Sequence, residues 1–185
     1  MKNLLVLLLC LTTLCANISA AGTWVTSSTA SSPGLMQRLE RSHWIGSGAK
    51  SHARVVYVFT DPNCPYCNDL WKAMQAMRSP DVQVRYLLVA VIDADSRGKD
   101  AAILESSDPA ATLDESERKF ARGGIAPKST SQAATNATIS ANEALMTDLK
   151  IYGTPGLVYL DEHHELKVFA GMPNPEQLRM ILGNR

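Results

Sequence analysis

One stretch decides the fold of this chain: residues 55–67, VVYVFTDPNCPYC. Its apolar run, residues 55–59, predicts a strand that is buried on both faces. The turn that follows ends in Asn63, which is a suitable N-cap for a helix starting at Cys64. Pro65 is tolerated in the first turn of a helix because its missing N–H would be unpaired there anyway. We therefore predict a strand, a tight turn and a helix that begins at the first of two cysteines.

The two cysteines of this stretch predict a chemical reaction. Cys64 and Cys67 are three positions apart, so a helix places them on the same face. A thiol at the start of a helix is favoured as thiolate by the positive end of the helix dipole. We expect Cys64 to be the more exposed thiol and the nucleophile of thiol–disulfide exchange, and Cys67 to resolve the mixed disulfide. Pro65 and Tyr66 are expected to tune the redox balance of the pair, although Tyr66 fits an ordinary surface aromatic equally well.

Other classes of function have weaker support in the sequence. A structural zinc site needs about four ligands, and there is no second Cys-x-x-Cys pair or well-spaced set of His and Cys residues. No Gly-rich phosphate loop is present, so we expect neither a metal nor a cofactor. The 18 basic and 18 acidic residues give a net charge of zero, which argues against nucleic acid as a partner.

The first 21 residues have the pattern of a secretory signal peptide. An apolar segment, residues 4–14, is followed by a small-x-small cleavage site at residues 19–21, with residues 18–20 as the alternative. Cleavage would remove Cys10 and Cys15 of the four cysteines. The exported chain would then carry a single, closely spaced pair, which favours a redox role over a structural disulfide framework.

The rest of the chain predicts further elements. Residues 22–34 are small and polar and are expected to form a mobile leader, and residues 123–138 an exposed loop. Between these segments we predict a helix over 35–44 that is ended by Gly46-Ser47-Gly48, a strand over 82–92, and helix over 97–122 that is broken at Asp108-Pro109. A further helix is opened by Ser140 and Glu143 and ended by Gly153. The chain then continues with a hairpin of 157–160 and 166–170 and closes with a helix capped by Asn174. The strand–helix–strand spacing around Cys64 predicts a parallel βαβ unit.

With these elements in order, the chain resembles the catalytic half of the periplasmic disulfide isomerases and reductases of the DsbC/DsbG type, most of all the DsbG branch. The resemblance covers residue 35 to the end, and rests on residues 37–44, 56–67, 101–104 with 107–110, Thr154-Pro155 and 171–173. It implies an α/β thioredoxin fold with an inserted helical subdomain and an N-terminal linker-like helix. The expected organisation is a signal peptide (1–21), a leader and linker-like helix (22–50) and a catalytic domain (51–185) with an insertion at about 94–150.

The resemblance also implies a function. It predicts a periplasmic protein that reduces or isomerises disulfides of exported proteins, or reduces sulfenic acids on single cysteines, with a DsbD-type membrane reductant as its partner. Thr154 and Pro155 would form the cis-Pro loop that binds substrate beside Cys64. Members of this family carry an N-terminal dimerisation domain that we do not find here, so we expect a monomer. Two alternatives remain: a monomeric dithiol oxidase with a DsbA-like role, recharged by a DsbB-type oxidant, and a non-catalytic chaperone or binding module that uses the thioredoxin groove.

Overall fold

A computed structural model describes residues 22–25, 32–50, 54–77 and 80–183. The predicted signal peptide lies outside these residues. Within them, no helix combines the length and the apolar composition that a membrane crossing requires.

The centre of the structure is one mixed sheet of six strands in the order β1-β6-β5-β3-β4-β2. Among the described strands, β3 and β4 form the only parallel pair, as the βαβ pattern predicts, and the other neighbours are antiparallel. The strands are β1 (Thr23–Val25), β2 (Ile45–Gly48), β3 (Arg54–Thr60), β4 (Val82–Leu88), β5 (Gly156–Leu160) and β6 (Leu166–Ala170).

Helices cover both faces of this sheet. They are α1 (Ser32–Arg41), α2 (Pro65–Ala76), α3 (Ser96–Leu104), α4 (Pro109–Arg118), α5 (Ala133–Asp148) and α6 (Pro175–Leu182), with a short 3-10 helix at Phe120–Arg122. Along β3, Val56 and Val58 belong to the core under α2 and α6, whereas Tyr57 and Phe59 belong to the core under α1 and α5. The alternation confirms that β3 is buried on both faces, and its carboxyl end leads directly to the two cysteines.

Two edge strands were not predicted. Thr23–Val25 pairs with β6 and places Trp24 edge-to-face on Phe169, with ring centroids 4.8 Å apart. The prediction of a mobile leader is therefore wrong for these three residues. Gly46-Ser47-Gly48 does not end a helix but pairs with β4, anchored by the buried side chain of Ile45. Both segments become strands because a neighbouring strand supplies their hydrogen bonds.

Two predicted boundaries also moved. β4 ends at Leu88 rather than residue 92, because the N–H groups of Val91 and Ile92 donate to the carboxylate of Asp61 instead of to a strand. Helix α5 begins at Ala133, within the predicted loop, so Ser140 and Glu143 lie in its interior and do not form a capping box. The Glu143 carboxylate accepts hydrogen bonds from Arg97 instead.

Other local signals are confirmed. Helices α3 and α4 are separated at Asp108-Pro109, where the Asp108 side chain accepts from the N–H of Ala111. The hairpin forms between β5 and β6, and Asn174 and Gln177 form a capping box at α6. The chain thus has the predicted thioredoxin-type α/β fold, with α3, α4 and α5 inserted between β4 and β5.

Candidate active site

Cys64 lies at the junction between the turn after β3 and helix α2. It is itself the N-cap of α2, which begins at Pro65, and its Sγ accepts the N–H of Cys67 at 3.3 Å. The prediction of Asn63 as N-cap is wrong. The Asn63 amide is instead bonded to Asp95 and Ser96, so the sulfur takes the capping position and receives the dipole of the helix directly.

Both thiols are free in the structure and both are covered. Cys64 is 1 % exposed and Cys67 is 3 % exposed. The expectation that Cys64 is the more exposed thiol is therefore wrong in this state. The Cys64 thiol donates to the carbonyl oxygen of Thr154 at 3.3 Å, so the covering segment is the loop that resemblance predicted to lie beside it.

The two sulfurs have opposite electrostatic environments. The pKa of Cys64 is lowered to about 6, mainly by the hydrogen bond from the Cys67 side chain, with the backbone N–H groups of Tyr66 and Cys67 adding to it. Burial raises the pKa of Cys67 well above its ordinary value, and the neighbouring Cys64 adds to this. At neutral pH this environment favours thiolate at Cys64 and thiol at Cys67.

The remaining predicted site residues surround this pair. The Thr154–Pro155 peptide bond is cis, and Thr154 is buried with a hydroxyl that has no hydrogen-bond partner among the described residues. Pro65 and Tyr66 form the exposed first turn of α2, and the Tyr66 side chain is 47 % exposed. The structure thus brings all six predicted residues to one place.

A buried carboxylate beneath the dithiol turn is a feature that sequence reasoning missed. Asp61 is fully buried and accepts four hydrogen bonds of 2.7–2.9 Å, from the N–H groups of Asn63, Val91 and Ile92 and from the hydroxyl of Ser96. It therefore joins the turn before Cys64 to the segment that enters the helical insertion. The Asp-Pro-Asn sequence was a turn signal, but the other three partners of Asp61 lie 30 to 35 residues away along the chain and could not be identified from it.

A second connection joins helix α2 to the insertion, and it too was missed. The Asn68 amide donates to the carboxylate of Glu117 and to its backbone oxygen, and the Trp71 indole donates to Asp114. Asn68 and Glu117 are both buried. Helix α4 is therefore fixed against the helix that carries the two thiols.

Exposed apolar side chains accompany the site. Val91 and Ile92, held by Asp61 beneath the turn, are 45 % and 49 % exposed, and Tyr152, two residues before Thr154, is 79 % exposed. We call these three residues, together with Tyr66, the apolar rim. In the part of the chain that the structure describes, no group of three or more His, Cys, Asp and Glu side chains could hold a metal ion.

Comparison with known proteins agrees with this architecture. Residues 47–185 of this chain match the protein family described as a thioredoxin-like domain. The chain is 36 % identical to the thiol:disulfide interchange protein DsbG of Pseudomonas aeruginosa, over 82 % of this chain and 59 % of that protein. It is 38 % identical to DsbG of Escherichia coli, over 82 % of this chain and 61 % of that protein. The chain thus spans about three-fifths of the length of these curated relatives.

A solved structure extends the comparison to three dimensions. A periplasmic thioredoxin-like protein from Salmonella enterica serovar Typhimurium superposes with a TM-score of 0.65 at 21 % identity, over 80 % of this chain and 94 % of that one. At this identity the likeness shows the fold alone.

Proposed function

The chain belongs to the thioredoxin-like family, and from this membership we propose that it is a thiol–disulfide oxidoreductase that acts on other proteins through Cys64 and Cys67. The observation that carries the proposal is the asymmetry of the two thiols. The pKa of Cys64 is lowered to about 6 and that of Cys67 is raised by burial. A dithiol that exchanges disulfides needs one sulfur ready to attack and a second held back as thiol.

The reaction follows from these two states. The Cys64 thiolate attacks one sulfur of a substrate disulfide, the substrate S–S bond breaks, and the first substrate sulfur leaves as thiolate. Cys67 then loses its proton to solvent and attacks Cys64, which releases the second substrate thiolate. The pair ends as a disulfide, and the substrate has gained two electrons. The buried hydroxyl of Thr154 is free to turn towards the Cys64 sulfur while that sulfur is charged.

The surroundings of the pair favour polypeptide substrates. The apolar rim offers contacts to unfolded segments with exposed apolar side chains, a class that includes exported proteins with wrong disulfides or oxidised cysteines. Pro65 and Tyr66 tune the pair, and the loop of Thr154 and Pro155 positions the substrate backbone next to Cys64. Suppression of aggregation that survives loss of both thiols would instead favour a non-catalytic chaperone.

The proposal includes a compartment and a partner. A periplasmic location fits the predicted signal peptide and the DsbG relatives. A dithiol that reduces substrates must be reduced again, and a DsbD-type membrane protein is the partner that we propose for this step. The monomeric state and the division into a signal peptide, a leader with helix and a catalytic domain from residue 51 stay predictions, which sedimentation and N-terminal sequencing of the exported protein test.

The decisive experiment is turnover with and without the nucleophile. We expect the exported protein to reduce insulin with dithiothreitol as electron donor, and Cys64→Ala to lose this activity. Cys67→Ala is expected to accumulate a mixed disulfide with substrate, because Cys64 can still attack but nothing resolves the product. Unchanged turnover in Cys64→Ala would refute the assignment.

One observation favours a second candidate, a dithiol oxidase served by a DsbB-type oxidant. A thiolate stabilised at Cys64 also stabilises the reduced form of the pair, and this makes the disulfide a stronger oxidant. The redox state of the pair in growing cells separates the two candidates. A mostly reduced pair favours the reductase or isomerase, and a mostly oxidised pair favours the oxidase.

A further inference from the structure

Glu117 is a buried carboxyl group that the helical insertion places beside the dithiol helix. It lies near the end of α4 and is 4 % exposed. Its Oε2 accepts a hydrogen bond of 2.7 Å from the Asn68 amide, and its backbone oxygen accepts a second one of 2.8 Å from the same nitrogen. The carboxyl group is therefore fixed in position.

Asn68 is directly linked to the reacting pair. It follows Cys67 in α2, and its N–H donates to the carbonyl oxygen of Cys64 at 3.2 Å. A second bond between the two helices, from the Trp71 indole to Asp114 at 3.0 Å, holds α4 in the same relation to α2. These bonds tie the Glu117 carboxyl group to the helix whose N-cap is Cys64.

The electrostatic surroundings of Glu117 leave its charge poorly compensated. Burial, above all, raises its pKa to about 7; the charge of Cys64 and, to a lesser degree, that of Asp114 act in the same direction, and the hydrogen bond from Asn68 acts against them. Lys72 of α2 acts in the opposite direction, but its ammonium is exposed and lies 3.3 Å from Asp69. No basic side chain among the described residues forms an ion pair with Glu117.

We infer that Glu117 is a third ionisable member of the dithiol site, a carboxyl group that takes up a proton when Cys64 becomes charged and releases it when the pair is oxidised. The inference rests on the proposed function of the pair. The helical insertion then takes part in the chemistry, because it supplies the carboxyl group that links the redox state of the two sulfurs to the pH of the surroundings. Glu117 acts on Cys64 through its charge and is a positioning residue, not a catalytic one.

The proton balance of this inference is simple. Two electrons break the Cys64–Cys67 disulfide, one proton from solvent binds Cys67, and Cys64 is left with a negative charge. That charge makes a second negative charge on Glu117 less favourable, so Glu117 binds a further proton from solvent. Oxidation removes the charge from Cys64, and the proton on Glu117 is released. The carboxyl group itself is neither oxidised nor reduced.

The test measures the titration of Glu117 in both redox states. Glutamate carboxyl carbons are labelled with carbon-13, and NMR follows them through the pH range in the protein reduced by dithiothreitol and in the oxidised protein. Glu117→Gln identifies the resonance because it keeps the hydrogen-bond acceptor for Asn68 and removes the charge. We expect the Glu117 midpoint to be about 0.5 to 1 pKa unit higher in the reduced protein than in the oxidised protein.

The reciprocal measurement follows the Cys64 thiolate by its ultraviolet absorbance. In the natural protein we expect a broad, two-phase titration, because two neighbouring anions form in the same pH range. In Glu117→Gln we expect a single phase. Glu115→Gln is the matched control, since it removes a charge two residues away in α4 that is exposed and paired with Lys119. This control is expected to keep the two-phase titration.

Equal Glu117 midpoints in the two redox states would overturn the inference, as would identical thiolate titrations in the natural protein and Glu117→Gln. If Glu117→Gln does not fold, Glu117→Asp identifies the resonance, and the midpoints of the natural protein still decide. The outcome is separate from that of the turnover assay. Equal midpoints in a protein that reduces insulin refute only the role of Glu117, whereas loss of the Cys64 requirement refutes the proposed function.

Discussion

Replacing Asp100 by alanine is expected to stabilise the protein. Asp100 lies in α3 with no exposed surface, and neither of its carboxylate oxygens has a hydrogen-bond partner among the described residues. Burial raises its pKa well above the ordinary value, and the nearby charge of Asp61 adds to this. Arg97 acts in the opposite direction, but its guanidinium is bonded to the carboxylate of Glu143.

The size of the effect can be built from three contributions. A buried polar group without a partner destabilises a fold by about 1–3 kcal/mol. Alanine is also the better helix former, by about 0.6 kcal/mol. Against these, removing a carboxyl group of roughly 30 Å³ leaves a cavity that costs about 0.7 kcal/mol. The net expectation for Asp100→Ala is a gain of about 1–3 kcal/mol, or roughly 2–12 °C in melting temperature.

The pH dependence gives the prediction its sign. The pKa of Asp100 is higher in the folded protein than in the unfolded chain, so protonation of Asp100 favours the folded state. This contribution to stability is complete only below the unfolded pKa of about 3.9 and is lost as the pH rises. The advantage of Asp100→Ala is therefore largest at neutral pH and narrows towards about pH 4.

Urea unfolding of the reduced protein, followed by circular dichroism from pH 4 to 8, measures this difference. Asp69→Ala is the control, because Asp69 is exposed and its removal is expected to change stability by no more than about 0.5 kcal/mol. A variant less stable than the natural protein at pH 7, or a difference that does not vary with pH, would refute the reasoning. Either result would mean that the carboxylate is stabilised in the fold.

Two further predictions concern the dithiol and its support. Cys67→Ala is expected to raise the pKa of Cys64 from about 6 by roughly one unit or more, since the Cys67 hydrogen bond is the main cause of the lowering. The pH dependence of alkylation by iodoacetamide measures the pKa of Cys64, and an unchanged midpoint contradicts this prediction. Asp61→Ala is expected to lower the free energy of unfolding by about 2–4 kcal/mol, because it leaves the buried hydroxyl of Ser96 and the partly buried N–H groups of Val91 and Ile92 without their acceptor. Urea unfolding, with Asp69→Ala as the control, measures this loss, and a loss below about 1 kcal/mol would exclude the carboxylate as the support of the turn.

The parts of the fold that could be predicted from the sequence are those with local signals. The apolar run of β3, the proline after Cys64 and the Asn174 capping box each specify their structure within a few residues. The strands β1 and β2 could not be predicted, because Thr23–Val25 and Ile45–Gly48 are short and become strands only by pairing at the two edges of the sheet.

The candidate site divides in the same way. The spacing of Cys64 and Cys67 was visible in the sequence, and the family resemblance pointed to Thr154 and Pro155. Asp61 and Glu117 were not found, because their partners lie about 30 and 49 residues away along the chain. The prediction that Asn63 caps helix α2 was wrong for a related reason. Its side chain has better partners in the insertion, at Asp95 and Ser96, and a rule based on neighbours in sequence does not include them.

The hydrogen bonds of Asp61 have an evolutionary consequence. The same carboxylate that supports the turn before Cys64 also holds the backbone of Val91 and Ile92, whose side chains face outwards. A mutation of Asp61 would therefore disturb the turn before Cys64 and the placement of two side chains of the apolar rim together. Selection cannot adjust one of these properties through this position while leaving the other unchanged. A lineage that changes the apolar rim has to do so through the rim side chains themselves, and we expect diversity there around an unvarying aspartate.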